Sequence, residues 1–310
     1  MEQFKNYLQS KDLSPITIKE YIRQIGLFTA WYEEEPINSQ KKDVLNYLSH
    51  LKNKKNLQTI SRNNALIALR HYFDYLIDEN LVCSNPTALI RLRGMKKRKL
   101  NHTYTPEELT ELADTYYLLN VKQAEENLTL KAKRNIVQNS YLAQMRNYVI
   151  LLFFVHQGLR TNEILSLQTD DIILHKATVH IQGGKRGKSR TLPLHAAQIG
   201  SLMLYMQNIR PQLANAESGL LFLPVNQGDK AVAPTAATAL VKLSAKLKRM
   251  DNHFNDFAQL RSSVITWWIQ SNGLRKAQYM AGHKSIVSTE EYLPNYIEDL
   301  ADDMTKFNPF

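Results

Sequence analysis

The stretch Gly282-His283-Lys284-Ser285-Ile286-Val287-Ser288-Thr289-Glu290-Glu291-Tyr292 decides how this chain is read. It holds a glycine–histidine pair, then Thr289, then a tyrosine nine residues beyond the histidine. A lone histidine is more often structural than chemical, and a tyrosine at this spacing also arises by chance. Tyr296 stands four residues further on as a rival, with the helix-breaking Pro294 between the two. The stretch gains meaning only if other stretches supply partners for these side chains.

Upstream, Phe257-Ala258-Gln259-Leu260-Arg261-Ser262-Ser263 carries an arginine on a helix that continues through Trp267 and Trp268, both read as core. Further back, an apolar helix from Tyr148 leads into His156-Gln157-Gly158-Leu159-Arg160-Thr161-Asn162-Glu163-Ile164-Leu165-Ser166-Leu167. Glu163 follows Arg160 by three residues, shares its helical face and can hold its guanidinium. Between these boxes Val179 and Ile181 alternate with polar residues, Gly183-Gly184-Lys185-Arg186-Gly187-Lys188 turns, and Arg190-Thr191-Leu192-Pro193-Leu194 returns. That pattern predicts a β-hairpin with a basic tip. It is not a nucleotide-binding loop, because G-x-x-x-x-G-K-[ST] is not met. Pro234-Thr235 opens a helix with Leu240, Leu243 and Leu247 on one stripe and Lys242, Lys246 and Arg249 on another, a basic face suited to the major groove.

In this order, Arg160, Lys185, Arg261, His283 and Tyr292 resemble the boxes of the tyrosine recombinases, the phage-integrase family. The Arg160 stretch is similar to that family's T-G-L-R-x-x-E-L-x-x-L, the hairpin to G-K-x-x-K-x-R-x-x-P, and the Arg261 stretch to H-x-L-R. The resemblance spans about residues 10–295. It implies that Tyr292 attacks a DNA phosphodiester, forming a 3′-phosphotyrosyl link, with no metal or nucleotide cofactor. Arg160 and Arg261 would clamp the phosphate, Glu163 would hold Arg160, Lys185 would protonate the leaving 5′ oxygen, and His283 would serve as acid/base or donor. Lys188 and Arg190 would be phosphate contacts. The chemistry is coherent: fixed cations stabilise an anionic transition state, and protons must leave the tyrosine and reach the departing oxygen. One position departs from the pattern. The family's histidine of H-x-L-R falls on Ala258, which can neither hold nor move a proton.

The expected fold is mainly α with a small β-sheet. A helical, SAM-like core-binding domain over residues 1–90 leads through a basic linker at 91–103 to a mixed α/β catalytic domain at 104–310 with a tail. Ser14-Pro15 is a helix start, and Ile18, Tyr21, Ile22, Ile25 and Phe28 then recur at helical spacing. Val44, Tyr47, Leu48 and Leu51 mark a second helix, and Leu66, Leu69, Phe73 and Leu76 a third. Thr105-Pro106-Glu107-Glu108 opens the next domain as a capping box. Residues 119–145 are polar and helical, longer than expected of the family at this place.

The net charge of +10 favours an acidic partner. Residues 1–100 hold 17 Lys and Arg against 10 Asp and Glu, and six of the basic ones lie between Arg91 and Lys99. Lys96, Lys97, Arg98 and Lys99 are therefore expected to cross a phosphate backbone, positioning the protein without reading sequence. After Tyr292 the chain turns acidic at Glu298, Asp299, Asp302 and Asp303, a tail expected to avoid DNA and to dock on a neighbouring subunit. The single cysteine, Cys83, excludes an intrachain disulfide and a cysteine-based zinc cluster, and is expected in the core. With no apolar run of membrane length and no signal-like start, a cytosolic, nucleoid-associated protein is expected. Partners implied by the resemblance are double-stranded DNA, further copies of the chain in a tetramer, and an accessory DNA-bending protein or partner recombinase. A Xer-like recombinase without an arm-binding domain fits a helical bundle that begins near residue 1. Two alternatives stand beside it: a DNA-binding protein that keeps the fold without cleaving, and an enzyme like the type IB topoisomerases.

Overall fold

The computed structural model describes residues 1–93, 102–130, 135–184, 187–213, 217–225 and 236–293. Lys96, Lys97, Arg98, Lys99, Lys185, Pro234, Thr235, Tyr296 and the acidic tail lie outside the described residues. The chain divides into two compact units, Met1–Lys99 and Leu100–Phe310.

The first unit is helical: α1 Glu2–Ser10, α2 Pro15–Trp31, α3 Lys41–Asn53 and α4 Thr59–Asp78. Ser14 caps α2, its hydroxyl accepting from the Thr17 amide at 3.2 Å ahead of Pro15. Ile18, Ile25, Phe28, Val44, Tyr47, Leu66, Leu69 and Phe73 interlock as its core. The apolar spacing had marked α2, α3 and α4. Helix α1 escaped it, because only Phe4 and Leu8 of its residues are buried. Cys83 is exposed rather than in the core, on the loop that follows α4. No helix among the described residues is long and apolar enough to cross a membrane.

The second unit is built on α7, Asn135–Gln157, which is buried nearly all round from Met145 to Val155. Around it pack α5 Pro106–Tyr116, α6 Gln123–Leu130, α9 Ala196–Leu204, α10 Ala236–Met250 and α11 Phe257–Ala281, with short α8 Thr161–Ser166 and α12 Val287–Glu290. The Thr105 capping box is formed at both bonds, at 3.2 and 2.8 Å. Among the described residues, three antiparallel strands, β1 Ile172–Ile173, β2 Thr178–Ile181 and β3 Arg190–Pro193, lie in the order β1-β2-β3. The hairpin pairs Ile181 with Arg190 and Thr178 with Pro193, so Val179, Ile181 and Leu192 face the core. Both tryptophans were expected in the core; Trp268 is buried there, but Trp267 is 41% exposed.

Two residues of the polar stretch 119–145, Asn120 and Gln144, acquire a structural role. Tyr117–Lys122 is π-wound between α5 and α6, and Asn120 Oδ1 and Gln144 Oε1 accept from Lys246 Nζ at 2.7 and 2.9 Å. Lys246 is thus committed to its own fold, which corrects its placement on a DNA-facing stripe. Helix α10 is amphipathic, and Lys246 stands at the edge of its buried stripe, close enough for a long side chain to fold inward. Lys242 is exposed.

Candidate active site

Two glycines shape the site. Gly158 ends α7 at φ +54°, and a Cβ there would lie 3.1 Å from Val264 Cγ1. The turn it permits sets Arg160, in extended conformation, at the start of α8. Gly282 ends α11 at φ +65°, where an L-side chain is strained. Its amide donates to Tyr279 O at 2.9 Å and that of His283 to Gln278 O at 3.1 Å, a glycine C-cap. The chain therefore reverses at the glycine, and His283 folds back over α11 onto Arg261.

Arg261 is enclosed, its side chain 6% exposed. It donates from Nη1 to Gly158 O and from Nη2 to Ala281 O, each at 2.6 Å, so it ties the end of α7 to the end of α11. Its Nη2 also lies 3.3 Å from His283 Nε2. A guanidinium only donates, so Nε2 accepts and the ring proton sits on Nδ1, which donates to Thr289 Oγ1 at 2.9 Å. Burial, then the positive charges of Arg261, Arg160 and Arg190, push the His283 imidazolium down to about 4. The ring is neutral at physiological pH, with an accepting nitrogen turned to Arg261. Burial and the charge of Arg160 bring Arg261 down to about 10, which leaves it protonated.

Glu163 gathers the cations. Its Oε1 accepts from Arg160 Nη1 and Arg190 Nη1, each at 2.9 Å, and its Oε2 from Arg190 Nη2 at 2.9 Å and the Arg160 amide at 2.8 Å. Arg261 Nη1 lies 3.9 Å from Oε2. Burial alone would raise this carboxyl; the hydrogen bonds and charge of Arg190 outweigh it and hold it at about 2. Arg160 remains open to solvent, with 33% of its side chain exposed. Arg190 is closed at 1%, which corrects its reading as a phosphate contact: it faces inward on β3, and the partly buried Glu163 claims both of its terminal nitrogens.

The hairpin is sewn to the Gly282–His283 turn. The Lys188 amide donates to Gly282 O at 3.1 Å, and Gly187 forms an isolated antiparallel bridge with His283. The Lys188 side chain is exposed. Tyr292 follows α12, partly buried, its ring parallel to His283 within 14° at 5.9 Å between centroids. The structure thus brings Arg160, Glu163, Arg261, His283 and Tyr292 into one cluster. Thr289 was quoted only for its spacing. Its buried hydroxyl fixes the tautomer of His283, a role that spacing does not express. Ala258 is exposed, one turn before Arg261 on α11. His253 packs on His102 at 4.8 Å between ring centroids and on Asp251.

The model of the phage integrase family matches residues 126–298, and that of the phage integrase N-terminal SAM-like domain matches residues 1–82. The chain belongs to the phage integrase family. It is a site-specific recombinase that cleaves and rejoins DNA. A tyrosine recombinase XerC of Bacillus licheniformis is 28% identical over 298 residues, covering 93% of this chain and 89% of the relative. In fold it is similar to XerH recombinase bound to a palindromic difH substrate, at a TM-score of 0.66 and 21% identity over 94% of this chain and 80% of that one. It is also similar to lambda integrase, solved as a tetramer bound to a Holliday junction, at a TM-score of 0.61 and 17% identity over 94% and 75%. Neither alternative drawn from the sequence is favoured by these matches.

Two histidines depressed to about 4 predict an acid weakness. His283 and His156 each fall to about 4; His156 does so through burial and then the charge of its stacked neighbour His195, 4.3 Å away. Between the ordinary histidine range and about 4 the unfolded chain binds more protons than the folded one, so acid favours unfolding. Their contribution is complete above about pH 6.5 and is lost as the pH falls towards 4. Denaturant unfolding at several pH values between 7.5 and 4 is expected to show this decline, and His156→Gln to flatten it. A His156→Gln curve parallel to wild type would contradict the assignment.

Proposed function

We propose that Tyr292 is the nucleophile of recombination and that Arg160 and Arg261 hold the scissile phosphate. The observation that carries this reading is the convergence of both arginines, a neutral histidine and the tyrosine on one carboxylate-braced cluster. The phenolic oxygen attacks phosphorus; the bond from phosphorus to the 5′ oxygen breaks, and its electron pair leaves on that oxygen. The phenol proton passes to a base, for which His283 Nε2 is the accepting nitrogen in the cluster. The departing oxygen takes a proton from Lys185, two residues before Gly187 in the chain. Bond energy is conserved in the 3′-phosphotyrosyl link, so rejoining needs no nucleotide.

Lys188, Lys242 and the run Lys96 to Lys99 then contact phosphates outside the cleavage point. The active assembly is a tetramer on two DNA sites, in the manner of the lambda integrase tetramer on its Holliday junction. A nicked substrate, from which the cut fragment diffuses away, tests the reading. A covalent protein–DNA adduct supports it, and none from the wild-type chain on its own site opposes it.

The same substrate asks what Ala258 means. A group that moves a proton contributes about 10²–10⁴ in rate, and Ala258 is exposed where the family pattern has histidine. Ala258→His is expected to speed single-turnover cleavage about tenfold. A slower variant means that another side chain already serves that place.

A further inference from the structure

Arg190 lies where three parts of the site meet. It stands on β3, two residues beyond Lys188, whose amide is bonded to Gly282. Its guanidinium meets the Glu163 carboxylate fork to fork, with both bonds at 2.9 Å. It also lies against the turn before His283, since a Cβ at Gly282 would be 2.7 Å from Nη1. An enclosed side chain so paired is not placed to take a phosphate from solvent.

Glu163 poses an electrostatic problem that Arg190 answers. A carboxylate is needed to aim Arg160, yet it stands 3.9 Å from Arg261 and would cancel part of the positive charge meant for DNA. Three guanidiniums around one carboxylate leave two net positive charges, whereas without Arg190 one would remain. We propose that Arg190 is a positioning residue for strand cleavage: it occupies both oxygens of Glu163, so that the carboxylate orients Arg160 without neutralising the Arg160–Arg261 pair. The inference rests on the reading of those two arginines as phosphate ligands.

The full chain is tested on the nicked substrate as wild type, Arg190→Gln, Glu163→Gln and the double variant, with DNA affinity and melting temperature measured alongside. Arg190→Gln is expected to slow cleavage about 10²-fold, as misplacement of a reacting group does. Affinity should stay within about threefold, because the other phosphate contacts remain. Adding Glu163→Gln removes the unbalanced carboxylate and should recover about tenfold of the lost rate, on the scale of a partly restored phosphate donor. Arg190→Lys, which keeps the charge and loses the fork, should fall between wild type and Arg190→Gln.

A double variant as slow as Arg190→Gln, or slower, would make Arg190 a structural staple only. An affinity loss as large as the rate loss would make it a direct phosphate contact. Should Arg190→Gln fail to fold, Arg190→Met keeps the apolar stem and is compared with and without Glu163→Gln in the same way. Tyr292→Phe on the same DNA separates the two failures. If it still forms adducts, the assignment of the site is wrong whatever Arg190 does.

Discussion

Tyr292→Phe is expected to abolish covalent adducts with the nicked substrate and to leave DNA affinity within about twofold of wild type, because most phosphate contacts lie elsewhere. The substitution removes one oxygen. The ring, which packs parallel to His283 and against the core, is kept, so α12 and the turn before it should hold their places. Loss of the attacking atom leaves nothing for the arginine cluster to stabilise, and the reduction should reach the detection limit rather than stop at a fraction. The rival is Tyr296. Adducts that persist in Tyr292→Phe and vanish in Tyr296→Phe would reassign the nucleophile. The amide of Tyr292 donates to Thr289 O at 3.1 Å, so the residue whose hydroxyl fixes His283 also fixes the backbone of the tyrosine. Thr289→Val, by contrast, should slow cleavage without ending it.

The helical half of the fold was legible because its apolar residues recur at the helical period. Ile18, Ile25 and Phe28 of α2, and Leu66, Leu69 and Phe73 of α4, were named from spacing and are buried. The hairpin was legible because Val179 and Ile181 alternate and glycines mark its tip. What escaped were facts of three dimensions. Arg190 and Lys188 are two residues apart in one basic stretch. Arg190 opens β3 with its side chain inward on Glu163, whereas Lys188 precedes the strand and is exposed, and no composition distinguishes them. Lys246 and Lys242 share a face of α10 one turn apart, yet Lys246 reaches Asn120 of the π-wound segment and Lys242 is exposed.

The glycines of the Gly158-Leu159-Arg160 and Gly282-His283 pairs looked like punctuation of a motif. Their left-handed backbones are what return Arg160 and His283 to one another. The role of Thr289 needed a histidine to be in place before it could be seen.

Arg160→Ala is expected to lower single-turnover cleavage by about 10²–10³, the cost of one charged donor to a developing oxyanion, while DNA affinity changes far less. The geometry makes this the cleaner of the two arginine substitutions. The Arg160 amide bond to Glu163 survives the loss of the side chain, Arg190 still occupies both carboxylate oxygens, and the exposed guanidinium supports little packing. Arg261→Ala should match it in rate and differ in stability. It would strip donors from two buried carbonyls, Gly158 O and Ala281 O, and unpaired buried polar groups cost about 1–3 kcal/mol each. A lower melting temperature should therefore accompany Arg261→Ala and not Arg160→Ala. A methylphosphonate at the scissile position carries no charge, so it should partly rescue both variants if both arginines serve one phosphate. Rescue of Arg160→Ala alone would place Arg261 in the scaffold, consistent with its near-complete enclosure, and leave the phosphate to Arg160 and its neighbours on the hairpin.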